Sequence, residues 1–243
     1  MSNQPKVAFI CVFHQSEEHR PNGFEYLNNN LESIFLNCKY PFKFFGVDNE
    51  SEDKYELENE VESLQIIRND DQKKTGTTGA WNIGIKEAVK QKYDIIFAIN
   101  DDLIFDESIN NMIEVIYTHP KKDNAIFGPV SNNPNNAYQL AQEPTNEIFE
   151  ISGKPREELN GFCQGMTRET VLNNLYDDDG NFFSSSPKHR WGGFEVEIGS
   201  RVHHSIVVGT CFVYHFKQSL EDDRMGNRGW RHLRKTTEKE ENG

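Results

Sequence analysis

Residues 94–105, with the sequence DIIFAINDDLIF, constrain the fold of this chain more than any other stretch. Ile95–Ile99 is an apolar run without alternation, which predicts a strand buried on both faces of a sheet. Asn100, Asp101 and Asp102 follow it directly, at the strand end where α/β folds bind ligands. Adjacent carboxylates repel each other unless a cation shares them, so the stretch predicts a Mg²⁺ or Mn²⁺ site that holds a substrate diphosphate. The alternative is an Asp-rich turn and helix cap.

Length, charge and cysteine content indicate the domain number, the compartment and one kind of partner to exclude. The 243 residues suit one large α/β domain, and we treat 1–243 as a single domain. A net charge of −13 argues against a nucleic-acid backbone as a partner. No stretch approaches the ~20 apolar residues of a transmembrane helix, and the N-terminus lacks a signal-peptide pattern. The four cysteines are scattered singly, as in a reducing compartment, so we expect a cytoplasmic protein.

Strand and helix patterns alternate through the first half of the chain. The predicted strands are 7–13, 43–47, 64–67 and 94–99, and the predicted helices are 27–38, 80–92 and 109–116. Thr75–Gly79 is expected to form a flexible turn, and Ser108 to cap the last of these helices. Further strands are expected at 125–130, 147–151, 162–167 and 206–214, with a short helix at 169–175. This order predicts a mostly parallel central sheet flanked by helices.

Two segments of the first half carry further candidate residues. Asp48 ends the second predicted strand, where it could accept hydrogen bonds from a nucleobase N–H or a ribose hydroxyl; the alternative is an Asx turn. Residues 76–84 combine small residues with a helix start, so Gly79 would let the backbone approach a ligand and Asn82 could orient the neighbouring carboxylates. The segment lacks the Gly-Lys-Ser/Thr of a phosphate-binding P-loop.

The second half adds an acidic segment and a late histidine. Glu195 and Glu197 lie beside a flexible Gly-Gly and an indole, which suits a general base next to a sugar-stacking face; the alternative is an acidic helix start. His215 ends a strand and would be a metal ligand if it converges on Asp102, although a lone histidine is more often structural. In the tail, four arginines surround Trp230, which favours a solvated helix slightly over a diphosphate contact.

Taken in order, these segments resemble the GT-A fold glycosyltransferases, especially those of family 2. The matching motifs are the Asp-containing strand end at 47–51, Gly-Ala-Trp-Asn-Ile-Gly at 79–84, Asn-Asp-Asp at 100–102, a Gly-rich strand at 161–166, the acidic segment and the late His. The segment 191–201 is also similar to the Trp-Gly-Gly-acidic motif of the β-1,4-galactosyltransferases. The resemblance implies a Rossmann-like nucleotide-binding half at about 6–130, an acceptor-binding half at about 131–216 and a charged tail at 217–243.

The resemblance also implies roles for single residues. Asp102 and His215 would bind Mn²⁺ or Mg²⁺, and Glu195 would be the catalytic base. The residues implied to bind the nucleotide-sugar are Phe13, His14, Asp48, Gly79, Asn82, Asn100 and Asp101. Those implied to bind the acceptor are Trp191, Gly192, Gly193 and Glu197. Asn100 and Glu195 stand where the family has Asp, and both depart from its pattern.

The implied reaction is a metal-dependent, inverting transfer of a hexosyl or deoxyhexosyl group. The donor would be a UDP-, dTDP- or GDP-linked sugar, and the acceptor a hydroxyl of a saccharide or glycoconjugate. A sugar nucleotidyltransferase is a first alternative, but it would carry a Gly-rich basic loop where this chain has the acidic His14–Glu18. A catalytically inactive nucleotide-sugar- or carbohydrate-binding module is the second, and Asn100 and Glu195 are compatible with it.

Overall fold

The computed structural model describes residues 4–18, 20–56, 61–152, 158–186, 188–189 and 194–216. Within these residues the strands are β1 (Val7–Phe13), β2 (Phe42–Asn49), β3 (Leu64–Asn69), β4 (Ile95–Asn100), β5 (Leu103–Phe105), β6 (Ala125–Ser131), β7 (Ile148–Glu150), β8 (Cys163–Thr167) and β9 (His204–His215). The α-helices are α1 (Gly23–Asn37), α2 (Gln72–Lys90), α3 (Ile109–Thr118), α4 (Arg168–Asn173) and α5 (Phe194–Arg201). Two 3₁₀ turns, Lys122–Asn124 and Ala137–Gln139, complete the described elements.

All of these strands join one sheet. Its order is β3-β2-β1-β4-β8-β6-β9-β5, and β7 pairs with β9 outside this path. The four strands β3, β2, β1 and β4 are mutually parallel, as predicted. Beyond β4 the pairing is mixed, because β8 runs antiparallel to β4 and β6, and β9 is antiparallel to β5 and β7. In the second half, β6 and β9 also pair in parallel. The predicted α/β sheet is therefore confirmed as a mixed sheet, with its longest parallel run over β3, β2, β1 and β4.

Helices cover both faces of the sheet. Along β1, Val7, Phe9, Cys11 and Phe13 belong to one core and Ala8, Ile10 and Val12 to the other. Helices α1 and α3 pack against the first core, whereas α2, α4 and α5 pack against the second. This two-sided burial explains why β1 and β4 read as continuous apolar runs rather than alternating ones. Among the helices of the described residues, none combines the length and apolar character needed to cross a bilayer.

Two local predictions were wrong. Thr75–Gly79 is not a flexible turn, because α2 already begins at Gln72 and departs from helical geometry only at Gly76 (φ 60°, ψ −161°). The glycines of this helix serve close packing: a Cβ at Gly84 would lie 2.2 Å from Cγ2 of Ile10 on β1. Ser108 does occupy the position before α3, but its hydroxyl makes no cap hydrogen bond. It bonds the Asp106 carboxylate instead and accepts from the amide of Phe212 on β9.

Candidate active site

The candidate residues gather at the carboxyl ends of the parallel strands. The register pairs Phe13 with Asp48 and Val12 with Asn100, so β1, β2 and β4 end at the same edge of the sheet. Side chains hold the end of β4 in place: the Trp81 indole N–H donates to the Ile99 carbonyl at 3.2 Å, and the Asn30 amide donates to the Asn100 carbonyl at 3.1 Å. The Asn-Asp-Asp motif therefore lies on a rigid edge.

Asp102 and His215 meet at this edge. After β4 the chain turns through Asp101 and Asp102 into β5, whose first residue, Leu103, pairs with His215 at the end of β9. The Nε2 atom of His215 consequently lies 3.4 Å from Oδ1 of Asp102. The side chain of Asn132 fixes the His215 backbone from both sides, because it accepts from the amide at 2.8 Å and donates to the carbonyl at 3.1 Å.

The facing atoms of this pair suit a bound cation. The Nδ1 atom of His215 lies 3.2 Å from the Asn133 carbonyl oxygen, which can only accept, so Nδ1 carries the proton. In the neutral imidazole, Nε2 then directs a lone pair toward Asp102, whose buried Oδ1 makes no hydrogen bond with the protein. Two acceptors facing each other fit a divalent ion, and an imidazole oriented by a carbonyl is a common metal ligand. Within the described part of the chain, no group of three or more His, Cys, Asp or Glu side chains is arranged to hold a metal ion.

Arg20 supplies a cation that sequence reasoning missed. Its Nη2 atom lies 2.5 Å from Oδ1 of Asp101 and 4.0 Å from Oδ2 of Asp102. Burial raises the pKa of Asp102, but with no cation bound, a protonated imidazole at His215, whose Nε2–H would point at the carboxylate, and the guanidinium of Arg20 outweigh it and hold that pKa below its usual range. Burial raises the pKa of Asp101, Arg20 opposes this, and the charge of Asp102 reinforces it. Asp102 is therefore the more acidic carboxyl group of the two.

Glu195 lies on the first turn of α5, next to the loop that leads into β8. A Cβ added at Gly161 would lie 2.7 Å from Oε1 of Glu195, so the carboxylate and the loop backbone are in contact. The next residue, Phe162, stacks its ring on His215 with centroids 5.1 Å apart, and its carbonyl accepts from the Asn100 amide at 2.9 Å. Two consecutive residues thus contact Glu195 on one side and the Asp102–His215 pair on the other.

Glu197 forms an ion pair with Arg201, one turn further along α5. Both of its oxygens bind Arg201, at 2.5 Å from Nε and 2.8 Å from Nη2. Arg201 also donates to the carbonyls of Asn174 and Phe182, so this ion pair ties α5 to the preceding loop. The structure therefore gives Glu197 a role in holding α5, which the sequence did not indicate.

Three of the residues predicted to contact the nucleotide lie at or directly after the ends of β1 and β2: Asp48, His14 and Phe13. The Asp48 carboxylate is almost fully buried and accepts from Arg68 Nη1 at 2.6 Å and from the Ser51 amide at 3.0 Å. His14 is half-buried, with Nδ1 3.1 Å from the Asn49 carbonyl. Phe13 is part of the core, where its ring packs edge-on against Phe24 and Tyr55. Only its backbone faces the edge that carries Asp48.

Asn82 and Gly79 make structural contacts on α2. The Asn82 side chain is buried, accepts from the amides of Phe182 and Phe183 at 3.0 and 2.9 Å, and donates to the Phe183 carbonyl at 2.8 Å. It lies well inside the helix rather than on its first turn, and these contacts leave it no role in orienting the carboxylates. At Gly79, a Cβ would lie 2.7 Å from the Thr75 side chain. Both residues therefore act in packing.

The remaining sequence predictions fall outside the described residues, and some contacts of the site were not predicted. Trp191, Gly192, Gly193 and the tail at 217–243 lie outside the described residues. The contacts of Arg20, Asn132, Phe162 and Arg68 were not predicted, because each joins residues far apart in the chain. One signal was available: Arg68 directly follows a predicted strand, as Asp48 does, and on that ground it could have been placed at the same edge of the sheet.

Comparisons with known proteins identify the family and the fold. Residues 21–217 match the family model described as glycosyl transferase family 2. No curated protein sequence matches the chain. The fold is similar to a crystal structure of GalNAc-T7 with UDP, GalNAc and Mn²⁺ (TM-score 0.65, 14% identity, 90% of this chain and 45% of that one). It is also similar to S. aureus TarS 1–349 in complex with UDP-GlcNAc (TM-score 0.60, 15% identity, 88% and 59%).

The chain thus spans less than two thirds of the length of these structures. At such low identity the likeness concerns the fold alone, and it confirms the predicted GT-A glycosyltransferase fold.

Proposed function

The chain belongs to glycosyl transferase family 2, and on this premise we propose that it transfers a hexosyl or deoxyhexosyl group from a nucleoside-diphosphate sugar to an acceptor hydroxyl, with inversion. UDP is the nucleotide we propose first, because the similar structures contain UDP or UDP-GlcNAc. dTDP- and GDP-linked sugars remain to be compared with it. The acceptor is a hydroxyl of a saccharide or glycoconjugate.

The observation that carries the metal-dependent form of this proposal is the Asp102–His215 pair. These two residues would hold Mn²⁺ or Mg²⁺, since the carboxylate of Asp102 and the oriented imidazole of His215 face each other with Oδ1 and Nε2 3.4 Å apart. When bound, the cation neutralises charge that builds up on the departing diphosphate. The Mn²⁺ in the GalNAc-T7 structure supports the choice of ion.

Glu195 is the proposed base. It takes the proton of the acceptor hydroxyl as that oxygen forms its bond to the anomeric carbon, while the bond from this carbon to the diphosphate oxygen breaks on the opposite face. Its contact with Gly161, next to the Phe162 ring that stacks on His215, supports this placement beside the leaving group. The carboxylate is half-buried, so an acceptor can reach it.

The nucleotide subsite is proposed from the contacts at the sheet edge, and the acceptor subsite from the motif resemblance. Asp48, with Arg68 bound to it, His14 and the backbone at Phe13 would form the base and ribose side of the cleft. Trp191 and the two glycines after it are proposed to contact the acceptor, on the basis of the similarity to the β-1,4-galactosyltransferase motif. The division near residue 130 into a nucleotide-binding and an acceptor-binding half, and the cytoplasmic location, remain predictions.

The test is a donor panel. The protein is incubated with UDP-, dTDP- and GDP-linked sugars, Mn²⁺ and a mixture of saccharide acceptors, and diphosphate release is measured. Glu195→Gln should lower kcat by roughly 10²-fold or more, the usual contribution of a general base, with unchanged affinity for the nucleotide. Glu169→Gln on α4, an exposed carboxylate, is the matched control and should retain full turnover. Equal turnover in both variants would remove Glu195 from the mechanism.

An inactive binding module is the second candidate. It is favoured by the close ion pair that Asp101 makes with Arg20 and by the amide at Asn100, which together leave Asp102 as the one carboxylate of the motif available to a cation. Binding of a nucleoside diphosphate without turnover on any donor of the panel would establish this alternative. Release of diphosphate that depends on Glu195 would exclude it.

A further inference from the structure

The Asn-Asp-Asp motif offers a cation less negative charge than its sequence suggests. Asn100 is neutral, and the carboxylate of Asp101 is held by Arg20 at 2.5 Å with its side chain almost fully buried. Asp102 alone has an oxygen atom that is buried and makes no hydrogen bond with the protein. The inference below rests on the metal site proposed above and concerns how that site is completed.

Arg20 is fixed from several directions. Its backbone forms a β-bridge with Ser16, through N–H···O contacts of 3.1 and 3.3 Å, which folds the loop after β1 back onto the site. Its guanidinium lies over the ring of Tyr26 at 5.0 Å, a cation–π distance. The Tyr26 ring packs edge-on against Phe216, whose amide donates to the Asp102 carbonyl at 3.1 Å. The guanidinium is therefore tied to the same turn that carries the two carboxylates.

We propose that Arg20 keeps Asp101 out of the coordination sphere of the divalent cation, so that the free enzyme binds the cation weakly and the donor diphosphate completes the site. The protein then contributes the carboxylate of Asp102 and the imidazole of His215. Water and phosphate oxygens provide the remaining ligands. Magnesium-type ions are commonly held in this way, by one or two carboxylates and a substrate phosphate.

The electrostatics have a definite sign. A guanidinium within 4.0 Å of the Asp102 carboxylate repels an arriving dication and occupies the second carboxylate that would otherwise attract it. The same positive charge attracts a diphosphate. Removing it should strengthen cation binding in the absence of nucleotide, whereas damage to the loop would weaken cation binding. The direction of the change therefore separates a charge effect from loss of structure.

The experiment measures Mn²⁺ binding from the electron paramagnetic resonance signal of free Mn²⁺ at pH 8.0, with and without UDP. For the wild-type protein we expect UDP to tighten Mn²⁺ binding about tenfold or more, because phosphate oxygens supply missing ligands. Without UDP, Arg20→Gln should bind Mn²⁺ about fivefold more tightly than wild type, and Arg20→Lys within about twofold of it, because lysine keeps the charge. Lys121→Gln is the matched control. It removes the cation of the ion pair between Lys121 and Glu150, and Lys121 precedes β6, away from the site.

Each outcome decides the inference. Arg20→Gln that is folded by circular dichroism and binds Mn²⁺ no more tightly than wild type would overturn it. Wild-type binding that is equally tight with and without UDP would overturn it without recourse to any variant. If wild type binds no Mn²⁺ in either condition, the metal site of the proposed function fails, and the inference fails with it. In that case the Arg20 variants show no Mn²⁺ binding either, which distinguishes the two failures.

Discussion

Replacing Asn82 by alanine tests whether this residue binds the donor or holds the chain together. The side chain makes three hydrogen bonds to the backbone of Phe182 and Phe183, and it is only 2% exposed. Asn82→Ala would leave two amides and one carbonyl without partners in the interior. Each unpaired buried group costs about 1–3 kcal/mol, and such costs are less than additive where water can enter. We therefore expect the free energy of unfolding to fall by about 3–5 kcal/mol.

The assay is urea denaturation followed by fluorescence, together with the dissociation constant for UDP. Asn111→Ala is the matched control, since Asn111 is exposed and donates one hydrogen bond, to the Thr210 carbonyl at 3.0 Å. This control should lose less than about 1 kcal/mol. A direct contact with the nucleotide predicts the opposite pattern, in which stability is kept and UDP affinity falls. If Asn82→Ala unfolds at the same urea concentration as the control, the structural role is wrong.

Three further predictions concern packing, pH and metal. Gly84→Ala should destabilise by about 1–3 kcal/mol because its Cβ would lie 2.2 Å from Ile10, whereas Gly199→Ala, with no atom within 4 Å, should stabilise by up to about 1 kcal/mol; thermal melts of both variants test this. Hydrogen bonds from Lys121 and then His204 lower the pKa of Glu150 from 4.5 to about 2. The contribution of the Glu150 carboxylate to the free energy of unfolding is therefore fully present above pH 4.5 and is lost as pH falls through 2. The stability difference between wild type and Glu150→Gln, about 1 kcal/mol or less at this partly exposed site, should therefore shrink between pH 5 and pH 2 in urea titrations, and a constant difference would contradict it. Mn²⁺ with UDP should raise the melting temperature of wild type but not of Asp102→Asn, and EDTA should reverse the shift.

The apolar runs identified most of the strands. The strand over residues 7–13 was predicted with the bounds that the structure has, and the apolar stripe of α3 was also correct. These patterns succeed because burial on both faces of a sheet, or on one face of a helix, is written in adjacent residues. The convergence of Asp102 and His215 was likewise expected, but only through the family resemblance. The pairing of β5 with β9 is what brings it about.

What the sequence did not reveal depends on contacts between distant residues. Arg20 binds Asp101 across 81 positions, and Asn82 bonds a loop about 100 positions away. No local pattern encodes such a partner, so Asn82 looked like a ligand-facing residue and Arg20 like part of a polar loop. Gly79 and Gly84 misled for a related reason, because glycine often marks a turn but at these two positions allows close packing; Gly76 alone among the three departs from helical geometry.

The pairing of Leu103 with His215 means that the proposed cation site can form only after β9, the last strand among the described residues, has been synthesised. Until β9 has emerged from the ribosome and paired with β5, Asp102 has no imidazole beside it. A chain that stops anywhere before position 215 would likewise lack the imidazole beside Asp102. Formation of the proposed site therefore requires β9 to pair with β5 in the correct register.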